Sequence, residues 1–381
     1  MSFQRLWAVA RKESLHILRD PRSLAMAIAL PVLLLFLFGY ALTLDVDDVP
    51  LAVWDQSGSP ASRELISRFS GSRYFSVRLF SEGYPGLERA MDTREALAAL
   101  VIPRDFGARV ASGRPAVVQL LLDGSDSNTA TIASGYASGV TDAYSQFVTV
   151  RTIHRTRGAA AAALLRPPLD LRPRVWFNTD LESKNYIIPG LIAVVIMVIA
   201  ALLTSLTVAR EWERGTMEQL ISTPVKGPEL IGGKLLPYFA IGMFDVFLAV
   251  LMGEFLFHVP LRGSVALLFC MSGIFVTGAL SMGLLISVAT KNQLLANQLA
   301  FVTTFLPSFL LSGFIYAIRN MPVPVQVITH VVPARYFIAL LKSIYLKGVG
   351  LEVLAGEAAL LSAFAAGMVI LANLKFKKKL G

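Results

Sequence analysis

A bilayer core about 30 Å thick is crossed by about 20 mostly apolar residues at 1.5 Å of helical rise each. Runs of that length recur along this sequence: Ser23–Thr43, Ile187–Val208, Leu235–Phe257, Val265–Ala289, Leu299–Ile318 and Val353–Leu374. The third carries Asp245 and Glu254, and the last has Glu357 near its start. Charged residues make up only 16% of the 381-residue chain, against about 25% in soluble domains, and the mean hydropathy is +0.61. A soluble globular domain is excluded. The net charge of +9 on so apolar a chain reads as basic cytoplasmic edges of a membrane protein, not as a nucleic-acid surface. A lone cysteine, Cys270, cannot form an intrachain disulfide, and with only four histidines a structural zinc site has no ligand set.

Orientation follows from where Lys and Arg fall in short loops. Arg5, Arg11, Lys12, Arg19 and Arg22 precede the first run, Arg210, Arg214 and Lys226 follow the second, Lys291 follows the fourth, and Lys375, Lys377, Lys378 and Lys379 close the chain. With six spans these all lie on one side, so both termini are expected in the cytoplasm. The loop after the fifth run, with Arg319, Arg335, Lys342 and Lys347, runs against this pattern. The first run is longer than a signal-peptide core and no small-x-small cleavage site follows at Leu42–Asp45, so it reads as an uncleaved anchor.

Residues 44–186 form a large insert between spans one and two. Pro50–Trp54, Phe75–Phe80, Ala98–Ile102 and Ala116–Leu122 read as strands, alternating with helices over Ser59–Phe69, Gly86–Asp92 and Asp105–Ala111. This pattern predicts a small α/β domain outside the cell membrane. A long helix over Thr129–Thr156 and an extended, proline-bearing connector over Arg166–Arg174 lead back to the membrane. Asp123, Asp126 and Asn128 superficially resemble a calcium loop, but the required Gly and terminal Glu are missing, and a turn with a helix N-cap is the plainer reading.

Two segments are expected on the cytoplasmic face. In residues 1–22, Phe3, Leu6, Trp7, Ala10, Ser14, Ile17 and Leu18 fall on one helical face and Arg5, Lys12, His16 and Arg19 on another. Such a helix lies in the membrane interface, and its polar face is open to a cytoplasmic partner. In residues 210–224, charges Arg210, Glu211, Glu213, Arg214 and Glu218 surround apolar Trp212, Met217 and Leu220, with Thr216 among them and Pro224 as the stop. A short element fixed between two spans can pass a push to both as a rigid body; a solvated turn is the alternative.

Arg210–Pro224 resembles the cytoplasmic loop of ABC-2 type transporter permeases, where a Glu-rich segment with Gly-Thr-x-Glu-x-Leu precedes a Pro. Further segments are similar to the drug-export branch of that family: Asn185–Leu191, Val259–Ser264, Leu310–Phe314, Pro333–Phe337, and in the insert Leu51–Gln56 and Asp123–Ser125. They occur in order along nearly the whole chain. The resemblance implies an α-helical polytopic permease half with six transmembrane helices in a bacterial inner membrane, dimerised with a second half. It also implies cytoplasmic ATP-binding cassette subunits, which bind ATP and Mg²⁺, docked on Arg5, Lys12, Arg19, Glu211, Trp212, Glu213, Arg214, Thr216 and Glu218. Residues 319–352 would hold short re-entrant helices at the outer face, and residues 375–381 a basic cytoplasmic tail. An amphipathic, drug-like or lipid-like substrate would be exported, and the outer domain would receive a periplasmic adaptor or the second half. His258 stands where the family has Gly, which puts a close backbone approach there in doubt.

The chain is expected to hydrolyse no ATP itself. Its nearest approach to a phosphate loop, Pro228–Leu235, lacks the first Gly and the Ser/Thr for Mg²⁺. Asp245 lies mid-span and Glu254 nearer the outer end, nine positions apart and so on opposite helix faces; a carboxylate there is costly unless paired, protonated or used. Two other functions stay open: an ion-coupled transporter using Asp245, and a membrane-anchored sensor or scaffold whose outside domain binds a ligand. Ala279, Gly283 and Ser287 repeat at four-residue spacing, a face for close helix approach.

Overall fold

Ser2 precedes the first helix, α1 (Phe3–Arg19), and Pro21 opens the next, α2 (Pro21–Ala41), because its fixed φ suits a first helical position. This is a computed structural model that describes residues 2–42, 46–164, 176–178 and 182–376. The proline-bearing connector and Lys377–Lys379 lie outside the described residues. After α2 come β1 (Val49–Asp55), α3 (Pro60–Ser70), β2 (Phe75–Phe80), α4 (Tyr84–Asp92), β3 (Ala98–Ile102), α5 (Phe106–Ala111), β4 (Gln119–Leu122) and α6 (Ser127–Leu164). Then follow α7 (Ser183–Glu213), α8 (Thr216–Ser222), α9 (Gly227–Leu251), α10 (Val265–Thr290), α11 (Gln293–Leu310), α12 (Val323–Ile328), α13 (Pro333–Lys342) and α14 (Leu351–Lys375). The chain divides into two compact units, Met1–Thr43 with Val175–Gly381, and Leu44–Arg174.

The inserted unit is α/β, as the alternating pattern predicts. Its four strands run in the order β2-β1-β3-β4, with β1 parallel to both β2 and β3 and β4 antiparallel at the edge. Val49, Leu51 and Val53 point to one face, where Leu65, Phe69 and Tyr144 cover them; Ala52, Ala99 and Val101 point to the other, under Leu87 and Ala90. Both faces being covered explains why β1 and β3 are continuous apolar runs. Ser59 caps α3 by accepting the Ser62 amide. The strand expected over Ala116–Leu122 pairs only from Gln119 onward, along the edge of the sheet.

The helical unit is built around α7, which packs on α2, α9, α10, α11 and α13. Its contact with α10 uses the small-residue face. A side-chain carbon at Gly283 would fall 2.1 Å from the Ala201 carbonyl oxygen, Thr204 Oγ1 donates to the Leu280 carbonyl at 2.7 Å, and the Val208 and Ala209 amides donate to Ser287 Oγ at 3.1 and 2.9 Å. Small residues thus bring two backbones together and polar atoms tie them. Phe275 of α10 stacks on Phe337 of α13 at 4.0 Å between ring centroids.

Four helical segments of the described residues are long and apolar enough to cross a membrane: Ser183–Glu213, Gly227–Leu256, Val265–Thr290 and Leu351–Lys375. Val323–Val331 and Pro333–Lys347 form a pair bent by 87° that passes the same test together. The run expected to end at Ile318 is helical only to Leu310, because Pro307 weakens its last turns and Gly313, at φ +81°, turns the chain into the left-handed region. His258 adopts φ +56° without being glycine, so the turn after α9 tolerates a side chain.

Candidate docking site

Gly215 sits at φ +69° between α7 and α8, a conformation that costs a glycine little, and it reverses the chain immediately after Arg214. Met217 then pins α8 into a small apolar core with Val9 of α1, Leu230 and Ile231 of α9, and Leu284 of α10. Three other helices therefore meet at one short element.

The seat of α1 on α9 depends on the pair Gly232-Gly233. A carbon at Gly233 would lie 2.7 Å from Val9 Cβ and 2.8 Å from the Leu6 carbonyl oxygen. The glycines that resemble a fragment of a phosphate loop are helical and have a purely steric cause. Beside them, Lys234 is buried in a carboxylate cage: its Nζ donates to Glu13 Oε1 at 2.8 Å and lies 2.9 Å from Glu211 Oε2, a charge contact without hydrogen-bond alignment. The other oxygen of Glu211 accepts from Lys12 at 3.1 Å. This chain of ion pairs joins α1, α7 and α9. Two more links lie at its edges, Arg5 donating to the Pro224 carbonyl at 2.7 Å and the Ser2 amide donating to Glu229 Oε1 at 2.7 Å.

The side of α1 that packs on its neighbours is Val9, Ala10, Glu13 and Ile17, whereas Phe3, Trp7 and Leu18 of the apolar face are more than half exposed, with Phe3 and Trp7 stacked 6.5 Å apart. Glu13 occupies the buried stripe because Lys234 neutralises it. Glu211, read as a docking residue, is turned inward and is 7% exposed, since it holds both Lys12 and Lys234. It ties α7 to α1 and α9.

The other candidate residues are accessible to differing degrees. Arg5, Arg19, Glu213, Arg214 and Glu218 are exposed. Lys12 is exposed but engaged by Glu211. Trp212 is half-buried with Lys291 Nζ 4.4 Å from its ring, Glu213 accepts from the amide and side chain of Gln293, and Thr216 Oγ1 donates weakly to the Glu211 carbonyl at 3.4 Å. Between α1 and α8 opens a cleft of about 430 Å³ lined by Lys12, His16, Arg210, Arg214, Thr216 and Gln219. Charged rims on a concave floor suit a protein partner's helix or loop. His16, Arg210 and Tyr238 also bound an apolar cavity of about 190 Å³ on the other side of the same residues.

Asp245 and Glu254 do not form one site. Asp245 is 4% exposed, and its Oδ1 has no hydrogen-bond partner; Glu254 is exposed on a π-turn after α9. No carboxylate-binding partner for Asp245 on another span is seen among the described residues. The residues that sequence reading missed are Glu13 and Lys234. Their signals were a glutamate in phase with Val9, Ala10 and Ile17, and a lysine one residue before an apolar run.

Residues 21–374 match the family model described as ABC-2 family transporter protein. The chain is 38% identical over 381 residues to the probable multidrug ABC transporter permease YbhS of Escherichia coli K12, covering all of this chain and 98% of that protein. It is 33% identical over 355 residues to the probable multidrug ABC transporter permease YbhR of the same strain, covering 92% of each. It is 22% identical over 377 residues to the linearmycin resistance permease protein LnrN of Bacillus subtilis 168, covering 95% of this chain and 97% of that one. The helices, the cleft and these matches over essentially its whole length agree: the chain belongs to the ABC-2 family of transporter proteins.

Proposed function

We propose that the chain is one permease half of an ATP-driven exporter that moves amphipathic, drug-like or lipid-like molecules out across a bacterial inner membrane. Supporting this is the membrane-subunit family, the relatives named as multidrug permeases, and above all the cleft between α1 and α8 with its buried ion pairs beneath. In this reading six helices span, α2 and α11 joining the four long ones, and both termini are cytoplasmic. The α/β unit lies outside, where an adaptor or the second half docks, and the loop between α11 and α14 re-enters from the outer face. ATP and Mg²⁺ are bound by a cassette subunit gripping Arg5, Arg19, Glu213, Arg214 and Glu218. A push on α8 passes through Met217 and Glu211 into α1, α7 and α9 together.

Purification of the full chain from its native membrane tests this. A stoichiometric ATP-binding cassette protein is the expected result, and its reproducible absence overturns the reading. One observation favours a second reading, transport coupled to a proton or cation: the buried, unbonded Oδ1 of Asp245. That reading requires Asp245→Asn to abolish transport and transport to proceed without any ATPase.

A further inference from the structure

The loop between α11 and α14 holds Arg319, Arg335, Lys342 and Lys347, cations that run against the orientation drawn from every other loop. The structure gathers the first three, with His330, onto the wall of one pocket of about 580 Å³, a size within the roughly 300–1,000 Å³ of small-molecule sites. Lys347 is not part of it. Beside these three basic side chains, the pocket wall has one carboxylate, Glu357 of α14.

Neutral groups hold the cations in place. Lys342 Nζ lies 3.3 Å from the centroid of the Tyr186 ring and 3.3 Å from the Gly313 carbonyl oxygen, which also accepts from Tyr186 Oη at 3.1 Å. The positive φ of Gly313 is what presents that carbonyl. Arg335 donates to Thr329 Oγ1 at 2.5 Å and stands 5.8 Å from the Tyr336 ring. Carbonyls, hydroxyls and ring faces orient a cation but leave its charge uncompensated, and a half-buried cluster of like charge is unfavourable until an anion enters. Ile318, Ile338 and Leu360 supply an apolar wall to the same pocket.

We propose that this pocket binds a phosphate ester, the headgroup of an anionic phospholipid or its soluble glycerol phosphate equivalent. The Arg335 guanidinium and Lys342 ammonium take the phosphate oxygens, Arg319 closes the exposed rim, and the apolar wall receives the first methylenes of a chain. A guanidinium fork beside a point-charge ammonium matches the shape and charge of a phosphate. The leaflet that supplies the lipid rests on the orientation proposed above; the anion site itself does not.

The test uses the full chain in nanodiscs of equal phosphatidylcholine and phosphatidylglycerol, with bound lipids counted by native mass spectrometry after release. Phosphatidylglycerol should be enriched about tenfold over phosphatidylcholine on the wild-type chain, the scale of one charge-assisted hydrogen bond set. Arg335→Gln and Lys342→Gln should abolish the enrichment, and Lys347→Gln should leave it unchanged. Should the half-buried Lys342 variant fail to fold, Arg319→Gln at the exposed rim should still lower the enrichment. Saturable binding of glycerol phosphate in phosphatidylcholine-only discs, lost in Arg335→Gln, would support the same site with a soluble source. No enrichment and no glycerol phosphate binding by the wild type, or binding equal in wild type and Arg335→Gln, would overturn the proposal. Impermeant labelling of Arg319→Cys in a Cys270→Ser background in intact cells reports the orientation separately, so an error there is distinguishable from failure of the site.

Discussion

Lys234 Nζ lies 2.8 Å from Glu13 Oε1, and both side chains are almost wholly buried, at 2% and 7% exposure. They come from α9 and α1, so a charge contact fixes the amphipathic helix to a membrane helix. Desolvating such a pair offsets much of its Coulomb gain, which makes it a device for placement more than for stability. Removing one partner is different, because it strands the other. Lys234→Ala should therefore cost about 3–5 kcal/mol, read as a lower thermal midpoint and folded yield in detergent. The triple change Glu13→Leu, Lys234→Met and Glu211→Gln, which leaves no buried carboxylate of this cage behind, should recover most of that loss while weakening the response to a docked partner.

Close approach of α7 and α10 gives a second expectation. A carbon at Gly283 meets the Ala201 carbonyl oxygen at 2.1 Å, and backbone cannot move aside as a side-chain tip can. Gly283→Ala should destabilise by about 1–3 kcal/mol, the range for an overfilled core, whereas Gly356→Ala on α14, with no neighbour within 4 Å, should be neutral. Thermal unfolding of the two variants in one detergent decides.

The inserted unit has its own core and its own sheet, so a fragment spanning Leu44–Arg174 should fold alone and unfold cooperatively in urea. Within it, Tyr144 Oη donates to the Ala61 carbonyl at 2.9 Å, tying α6 to α3. Tyr144→Phe removes that hydrogen bond and should lower stability by about 1 kcal/mol.

A pH dependence belongs to the start of α6. The Thr129 hydroxyl and the Asn128 amide both donate to the Asp126 carboxylate and hold it below its ordinary value of 3.8. A depressed folded-state value means that the contribution is complete above the unfolded value and is lost as pH falls through the folded one. Amide exchange at Asn128 and Thr129 should therefore quicken below about pH 4, relative to the intrinsic rate, and Asp126→Ala should abolish that step.

Much of this was legible from residue order because the physical signals were local. Strands β1 and β3 announce themselves as apolar runs covered on both faces, and Ser59 before Pro60 marks a helix start. Ala279, Gly283 and Ser287 announce a close helix contact through spacing alone. What stayed hidden depended on partners distant in sequence. The buried face of α1 contains Glu13, which looks like a surface residue until Lys234, 221 positions away, is seen to neutralise it. Glu211 sat in a row of charges that differ little in sequence, and only the fold separates it from exposed Glu213 and Glu218. The basic residues of the loop before α14 read as an exception to a charge rule until three of them were found on one pocket wall.

The central claim is that the cleft between α1 and α8 receives an ATPase, and Glu218, exposed on α8 next to the cleft residue Gln219, reports this most directly. With a photo-crosslinking side chain at Glu218, ultraviolet exposure of native membranes should yield one adduct containing an ATP-binding cassette protein. The same probe at Leu360, on the exposed face of α14, should yield none. Glu218→Lys should lose the complex and ATP-dependent export together while the permease remains folded. Absence of any cassette protein from the Glu218 adduct, with export continuing in ATP-depleted vesicles, would contradict the account.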